Sequence, residues 1–186
     1  MTKKRYDSNG EGRWSRRQLL ARYNDYARRF GLRGPLPLDD RRHETRKAVW
    51  IYPTLFAVVD GVGAGDPACV EIAVELIEAD ELMPFGRILK SNAARALRLA
   101  QLTSDHVARI RTRVFAMLKR GEIPREFRDY AKLLRRVGVG PGWSELPALH
   151  VQGPYARRWR DYLLAHAGPD PIRPPRGRRF AAPSAS

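Results

Sequence analysis

Between Asp66 and Gly138 the apolar positions recur at i, i+3, i+4 and i+7 in four successive segments, the spacing of helices that each bury one face. In the first, Asp66 followed by Pro67 is an N-cap with proline at the first helical position, where the missing N–H costs nothing. Val70, Ala73, Val74 and Ile77 line its inner face, and Pro84 and Gly86 stop it. The second segment, from about Arg87 to Ala100, places Leu89, Ala93, Ala96, Leu97 and Ala100 on one side. The third opens at Thr103 or Ser104, turns Val107, Ile110, Val114, Met117 and Leu118 inward, and stops at Gly121, which suits the left-handed position after a helix. The fourth begins at Pro124, buries Phe127, Tyr130, Ala131 and Leu134, and ends at Gly138. Connections this short make consecutive helices antiparallel neighbours.

Upstream, Ser15 caps a helix in which Leu19, Tyr23, Tyr26, Ala27 and Phe30 share a face, and Gly31 closes it. Leu32 to Leu38, with Gly34, Pro35 and Pro37, reads as an extended linker. Asp39 or Asp40 then caps a further helix that runs into the apolar stretch 48–59. Here two readings compete. Val49, Trp50, Ile51 and Tyr52 have strand propensity, whereas the upstream cap, the length and the helical neighbours favour a buried helix interrupted at Pro53. The helix is preferred, because no second strand-like run stands ready as a partner. Gly61, Gly63 and Gly65 read as a loop and lack the spacing of a dinucleotide fingerprint. Residues 139–154 read as loop, with Trp143 and Leu146 pinned to the core, and a last helix runs from about Tyr155 to Ala167. The pattern therefore predicts an all-α single domain over 14–168, of six or seven helices in antiparallel hairpins, stacked or as an irregular bundle. Disordered basic ends are expected at 1–13 and 169–186.

Charge changes this picture more than composition does. Against 35 Lys and Arg stand 20 Asp and Glu, for a net charge of +15, and most of the cations are Arg, the better residue for bidentate phosphate contacts. The excess is segregated: residues 1–47 carry +8, 48–83 carry −7, 84–138 carry +10 and 139–186 carry +4. The acidic helix with Glu71, Glu75, Glu78, Asp80 and Glu81 is thus flanked by basic ones, and some of its charge is expected to pair internally. Arg87, Lys90 and Arg98, then Arg109, Arg113 and Arg120, then Arg125, Arg128, Lys132, Arg135 and Arg136 remain as candidate phosphate contacts at helical spacing. The bland alternative is a solvated exterior that keeps the protein soluble.

The helical hairpins of 66–138, with their caps and breakers at similar intervals, resemble HEAT-type α-solenoid repeats. That resemblance implies a curved helical stack offering a concave surface to a protein or nucleic-acid partner. Some HEAT-like proteins, one family of DNA glycosylases among them, cradle DNA on such a face, but no glycosylase site matches here residue by residue. The third and fourth helices, joined through Lys119, Arg120, Gly121, Glu122 and Ile123, also invite comparison with a helix-turn-helix whose second helix would expose Arg125, Arg128, Lys132 and Arg135.

Catalysis has little support. His43, His106, His150 and His166 are scattered, and Cys69 sits in a helix's first turn without a recognisable base. Glu71, Glu75 and Glu78 share a face but lack the second set of ligands a metal site needs. Asp60, after an apolar run at a glycine loop, is the most plausible single acid, and a helix-terminating role explains it as well. Trp14, Tyr155 and Trp159 could stack on bases, although their spacing points to the core. One cysteine excludes an internal disulfide and points to a reducing, cytoplasmic setting. The stretch 48–59 is about a dozen residues, against the roughly 20 needed to span a bilayer. The expectation is a non-catalytic nucleic-acid-binding module without metal or cofactor. A protein-interaction scaffold is the rival, and a HEAT-like DNA-processing enzyme a third reading.

Overall fold

The computed structural model describes residues 3–172, and among them seven α-helices surround one core, with a three-stranded sheet at its edge. The chain is therefore mostly helical with a small sheet rather than all-α. Strands β1 (Lys4–Asp7), β2 (Arg42–Glu44) and β3 (Ala48–Ile51) run in the order β1-β3-β2, parallel on one side of β3 and antiparallel on the other.

The sheet corrects two sequence expectations. Ala48–Ile51 is a strand, not part of a helix, because its partners come from segments with no apolar pattern of their own, Lys-Arg-Tyr-Asp and Arg-His-Glu. Residues 3–13 are likewise ordered: the Ser8 amide donates to Ile51 O at 2.9 Å, and Asn9 Oδ1 accepts from the Thr54 amide and hydroxyl at 2.9 and 3.0 Å. A short 3-10 turn, Gly12–Trp14, then leads into α1 (Arg16–Arg29).

Helix α2 (Leu55–Ala64) follows the sheet and absorbs Gly61 and Gly63, leaving Gly65 as its left-handed stop at φ 85°. Gly61 lies against α3 (Pro67–Ala79): a Cβ there would fall 2.4 Å from Cys69 Sγ, so only glycine permits this approach. Helix α3 is the centre of the molecule, touched by α1, α2, α4 (Gly86–Leu97) and α5 (Ser104–Arg120). Its cap forms as read, with the Asp66 carboxylate accepting from the Cys69 amide at 2.9 Å and from the Tyr23 hydroxyl at 2.8 Å. It stops at Ala79, before Pro84, because Asp80 turns left-handed at φ 47°.

Helix α5 opens and closes where expected. Thr103 Oγ1 accepts from the His106 amide at 3.2 Å, and Gly121 ends the helix at φ 71°. Helix α6 (Phe127–Val137) starts three residues after Pro124 and packs on both α4 and α5, so that α3, α5, α6 and α4 close a four-helix ring. Two 3-10 turns, Gly140–Trp143 and Leu146–Ala148, lead to α7 (Pro154–His166), which packs on α6. Leu146 is buried and Trp143 half-buried, as expected. Residues 168–172 double back beside the end of α6, with Gly168 O accepting from the Val139 amide at 2.8 Å and Arg136 O from the Ile172 amide at 3.0 Å. That much of the expected disordered C-terminal end is ordered; 173–186 lie outside the described residues. Among the described residues no helix is long and apolar enough to cross a membrane.

Candidate nucleic-acid interface

The outer side of α6 carries positive charge that has no carboxylate partner among the described residues. Phe127, Tyr130, Ala131, Leu134 and Val137 are buried, which leaves Arg128, Lys132, Arg135 and Arg136 at i, i+4, i+7 and i+8 on the opposite stripe. Arg125 stands in the turn just before. The two carboxylates of this region, Glu126 and Asp129, point inward and are 6% and 4% exposed. No acidic side chain is left on the stripe to neutralise it.

Asp129 fixes the neighbouring helix. It accepts from Ser91 Oγ at 2.8 Å and lies 3.5 Å from Arg95 Nε. Arg87, Ser91, Arg95 and Arg98 fall at i, i+4, i+8 and i+11, one side of α4, so these contacts set Arg87, Arg95 and Arg98 beside the α6 stripe. On the far side, the Arg135 guanidinium sits 5.8 Å from the Tyr162 ring of α7, and Phe127 meets Trp159 at 6.4 Å. Arg158, over the Trp159 ring at 5.6 Å, extends the basic surface there. Arg136 is steadied by a hydrogen bond to Ile172 O.

Four of the expected contacts are engaged elsewhere. Lys90 is 4% exposed, held 2.7 Å from Asp80 and 2.8 Å from Glu126. Burial alone would lower its pKa, but the two carboxylates outweigh it and hold the ammonium above its ordinary value. The α4 stripe is therefore 87-91-95-98, and the expected grouping of Arg87, Lys90 and Arg98 is corrected, with Lys90 buried. Arg113 lies 3.6 Å from Asp80, and Arg120 3.0 Å from Glu122. Arg109 is shared among Glu78, Glu71 and Asp105, and its hydrogen bonds to Glu78 and Glu71 push its pKa up against the cost of burial. The basic surface that remains is Arg87, Arg98, Arg125, Arg128, Lys132, Arg135 and Arg136, with Arg95 beside it paired to Asp129.

The acidic helix is internally matched. Glu71 accepts from His106 Nε2 at 2.8 Å and from Arg109. Burial would raise its pKa, and these two bonds reverse that and leave it low. Glu75 takes Arg13 at 3.1 Å, Arg22 and the Tyr26 hydroxyl, and burial together with that bond pushes the Tyr26 phenol up to about 12.

The chemical candidates are dispersed. Cys69 is buried, which drives its thiol pKa well upward, with the Asp66 charge adding to the effect. Asp60 is surface-exposed and pairs with Arg41. Among the described residues no three His, Cys, Asp or Glu side chains gather as a metal ion would require. Trp14 and Trp159 are 2% and 5% exposed and cannot take a base, whereas Tyr155 is 39% exposed. Sequence reading missed the row of rings formed by exposed Tyr6 and His43 and half-buried Trp50, which come together only when the sheet forms.

Six residues, 121–126, separate α5 from α6, longer than the roughly three- to four-residue turn of a helix-turn-helix. Comparisons with protein-family models, with curated proteins and with solved structures find no match to this chain.

Proposed function

We propose that this protein binds nucleic acid without catalysis, holding phosphates along α6 and the adjoining side of α4. The observation that carries the reading is the α6 stripe, in which Arg125 and Arg128 are exposed and Lys132, Arg135 and Arg136 half-buried beside them, while Glu126 and Asp129 are drawn inside. A surface of this kind draws a polyanion by releasing its condensed counterions. The hairpins α3–α4 and α5–α6, with α3 on α5 and α4 on α6, support a stack of two helical repeats in the HEAT-like manner. A cytoplasmic setting, with Cys69 as a free buried thiol, belongs to the same proposal.

The test is fluorescence anisotropy with labelled 20-nucleotide single strands and duplexes of DNA and RNA, across a potassium chloride series. With about five phosphates engaged, log affinity for duplex DNA falls against log salt with a slope of roughly −4 to −5. Absence of binding to every probe at low salt contradicts the reading. That outcome would favour a protein-interaction scaffold, for which one feature speaks directly: Leu82, Phe85 and Ile88 are 100%, 38% and 47% exposed around the α3–α4 connection.

A further inference from the structure

Three rings cross the small sheet in a row. Tyr6 pairs with Trp50 across β1 and β3, and His43 pairs with Trp50 across β2 and β3. Residues directly opposite in register project to the same face, and the rings meet there: the centroids of Tyr6 and Trp50 are 5.6 Å apart at 12°, those of His43 and Trp50 5.6 Å apart at 35°. Ile51, on the other face, is 2% exposed, whereas Tyr6 is 39% exposed, His43 is exposed and Trp50 half-buried.

Cross-strand aromatic pairs stabilise a sheet by themselves, so the row needs more than contact to suggest a ligand. Charge supplies it. Lys4 Nζ lies 5.0 Å from the Tyr6 ring centre. Arg46 and Lys47, in the turn between β2 and β3, are exposed and, like Lys4, have no carboxylate partner among the described residues; the sheet's own acids, Glu44 and Asp7, are taken by Lys3 and Arg5. Two exposed rings flanking a half-buried third, among unneutralised cations, match the two needs of an unpaired strand, a π-face for its bases and a positive track for its phosphates.

We propose that Tyr6, Trp50 and His43 form a stacking platform for the bases of a single-stranded nucleic acid. The inference rests on the nucleic-acid reading above and deepens it: the α6 stripe supplies affinity for phosphates in any form, and the sheet supplies a preference for unpaired strands.

The experiment titrates the full chain with a labelled 12-nucleotide oligothymidylate and with a 12-base-pair duplex at fixed salt. Tyr6→Thr and Trp50→Val remove a ring and keep strand propensity; each weakens single-strand binding roughly 5- to 100-fold and leaves duplex binding unchanged. Trp50→Phe retains a ring, so affinity stays within about threefold, while the fluorescence quenching produced by oligothymidylate is lost. His43→Leu, on an exposed edge strand, serves as the variant least able to disturb the fold. Single-strand binding that survives loss of all three rings, or a loss shared equally by the duplex, overturns the platform and leaves the α6 reading intact. Ring-dependent binding that survives neutralisation of α6 contradicts the α6 reading alone, and no binding of either probe contradicts both.

Discussion

The Lys90 ammonium lies 2.8 Å from the Glu126 carboxylate, and both groups are buried. With Asp80 at 2.7 Å, and the Tyr130 hydroxyl donating to Asp80 at 3.1 Å, this ion cluster joins the end of α3, the first turns of α4 and the start of α6. It turns Glu126 away from the outer stripe.

Removing the cation leaves the buried Glu126 carboxylate without an ion-pair partner and Asp80 with Arg113 alone, at 3.6 Å. Lys90→Met is expected to destabilise the fold by about 3–5 kcal/mol. Adding Asp80→Asn and Glu126→Gln to it recovers part of the loss. Urea unfolding of the single and triple variants measures both.

The salt link from α3 to α5 contributes to stability against acid. Glu71 has a folded-state pKa below its ordinary 4.5, because the bonds from Arg109 and His106 outweigh burial. A carboxyl whose pKa is depressed by folding contributes stability above its unfolded value and loses it as pH falls through the folded one. The urea midpoint therefore declines below about pH 4.5, where unfolded chains begin to take up the proton. Glu71→Gln shows a shallower decline over the same interval, and an unchanged slope would remove Glu71 from the account.

Two glycines of one helix respond in opposite directions to the same substitution. At Gly61 a new Cβ meets Cys69 Sγ at 2.4 Å, whereas at Gly63 nothing lies within 4 Å. Gly61→Ala is expected to cost about 1–3 kcal/mol through overpacking, more than helix propensity returns, and Gly63→Ala to stabilise by up to about 1 kcal/mol. Thermal unfolding separates them, and Cys69→Ala in the Gly61→Ala background restores part of the loss.

These cases show where the sequence was legible. Asp66-Pro67, Thr103 and Gly121 announce helix ends because their chemistry is local: a side chain or a left-handed residue satisfies backbone groups a few positions away. The strand at Ala48–Ile51 was not legible, since its partners, Lys4–Asp7 and Arg42–Glu44, are short segments that carry no apolar alternation of their own. Gly61 and Gly63 resemble loop residues until Cys69 is known to approach. Of the site, the α6 stripe could be read from spacing. The burial of Lys90 could not, because its two carboxylates come from separate elements, and neither could the role of Arg95, which depends on Asp129 crossing from α6.

The most direct measurement compares two triple neutralisations of equal charge. Arg128→Gln, Lys132→Gln and Arg135→Gln strip the α6 stripe; Arg17→Gln, Arg29→Gln and Arg33→Gln remove cations that have no carboxylate partner among the described residues, on and after α1. In duplex-DNA binding across a salt series, the α6 variant loses affinity and its log–log slope becomes shallower by roughly 2–3, while the α1 variant keeps the slope of the unaltered protein. Equal losses in the two variants, or a larger loss from α1, contradict a phosphate-binding role for α6.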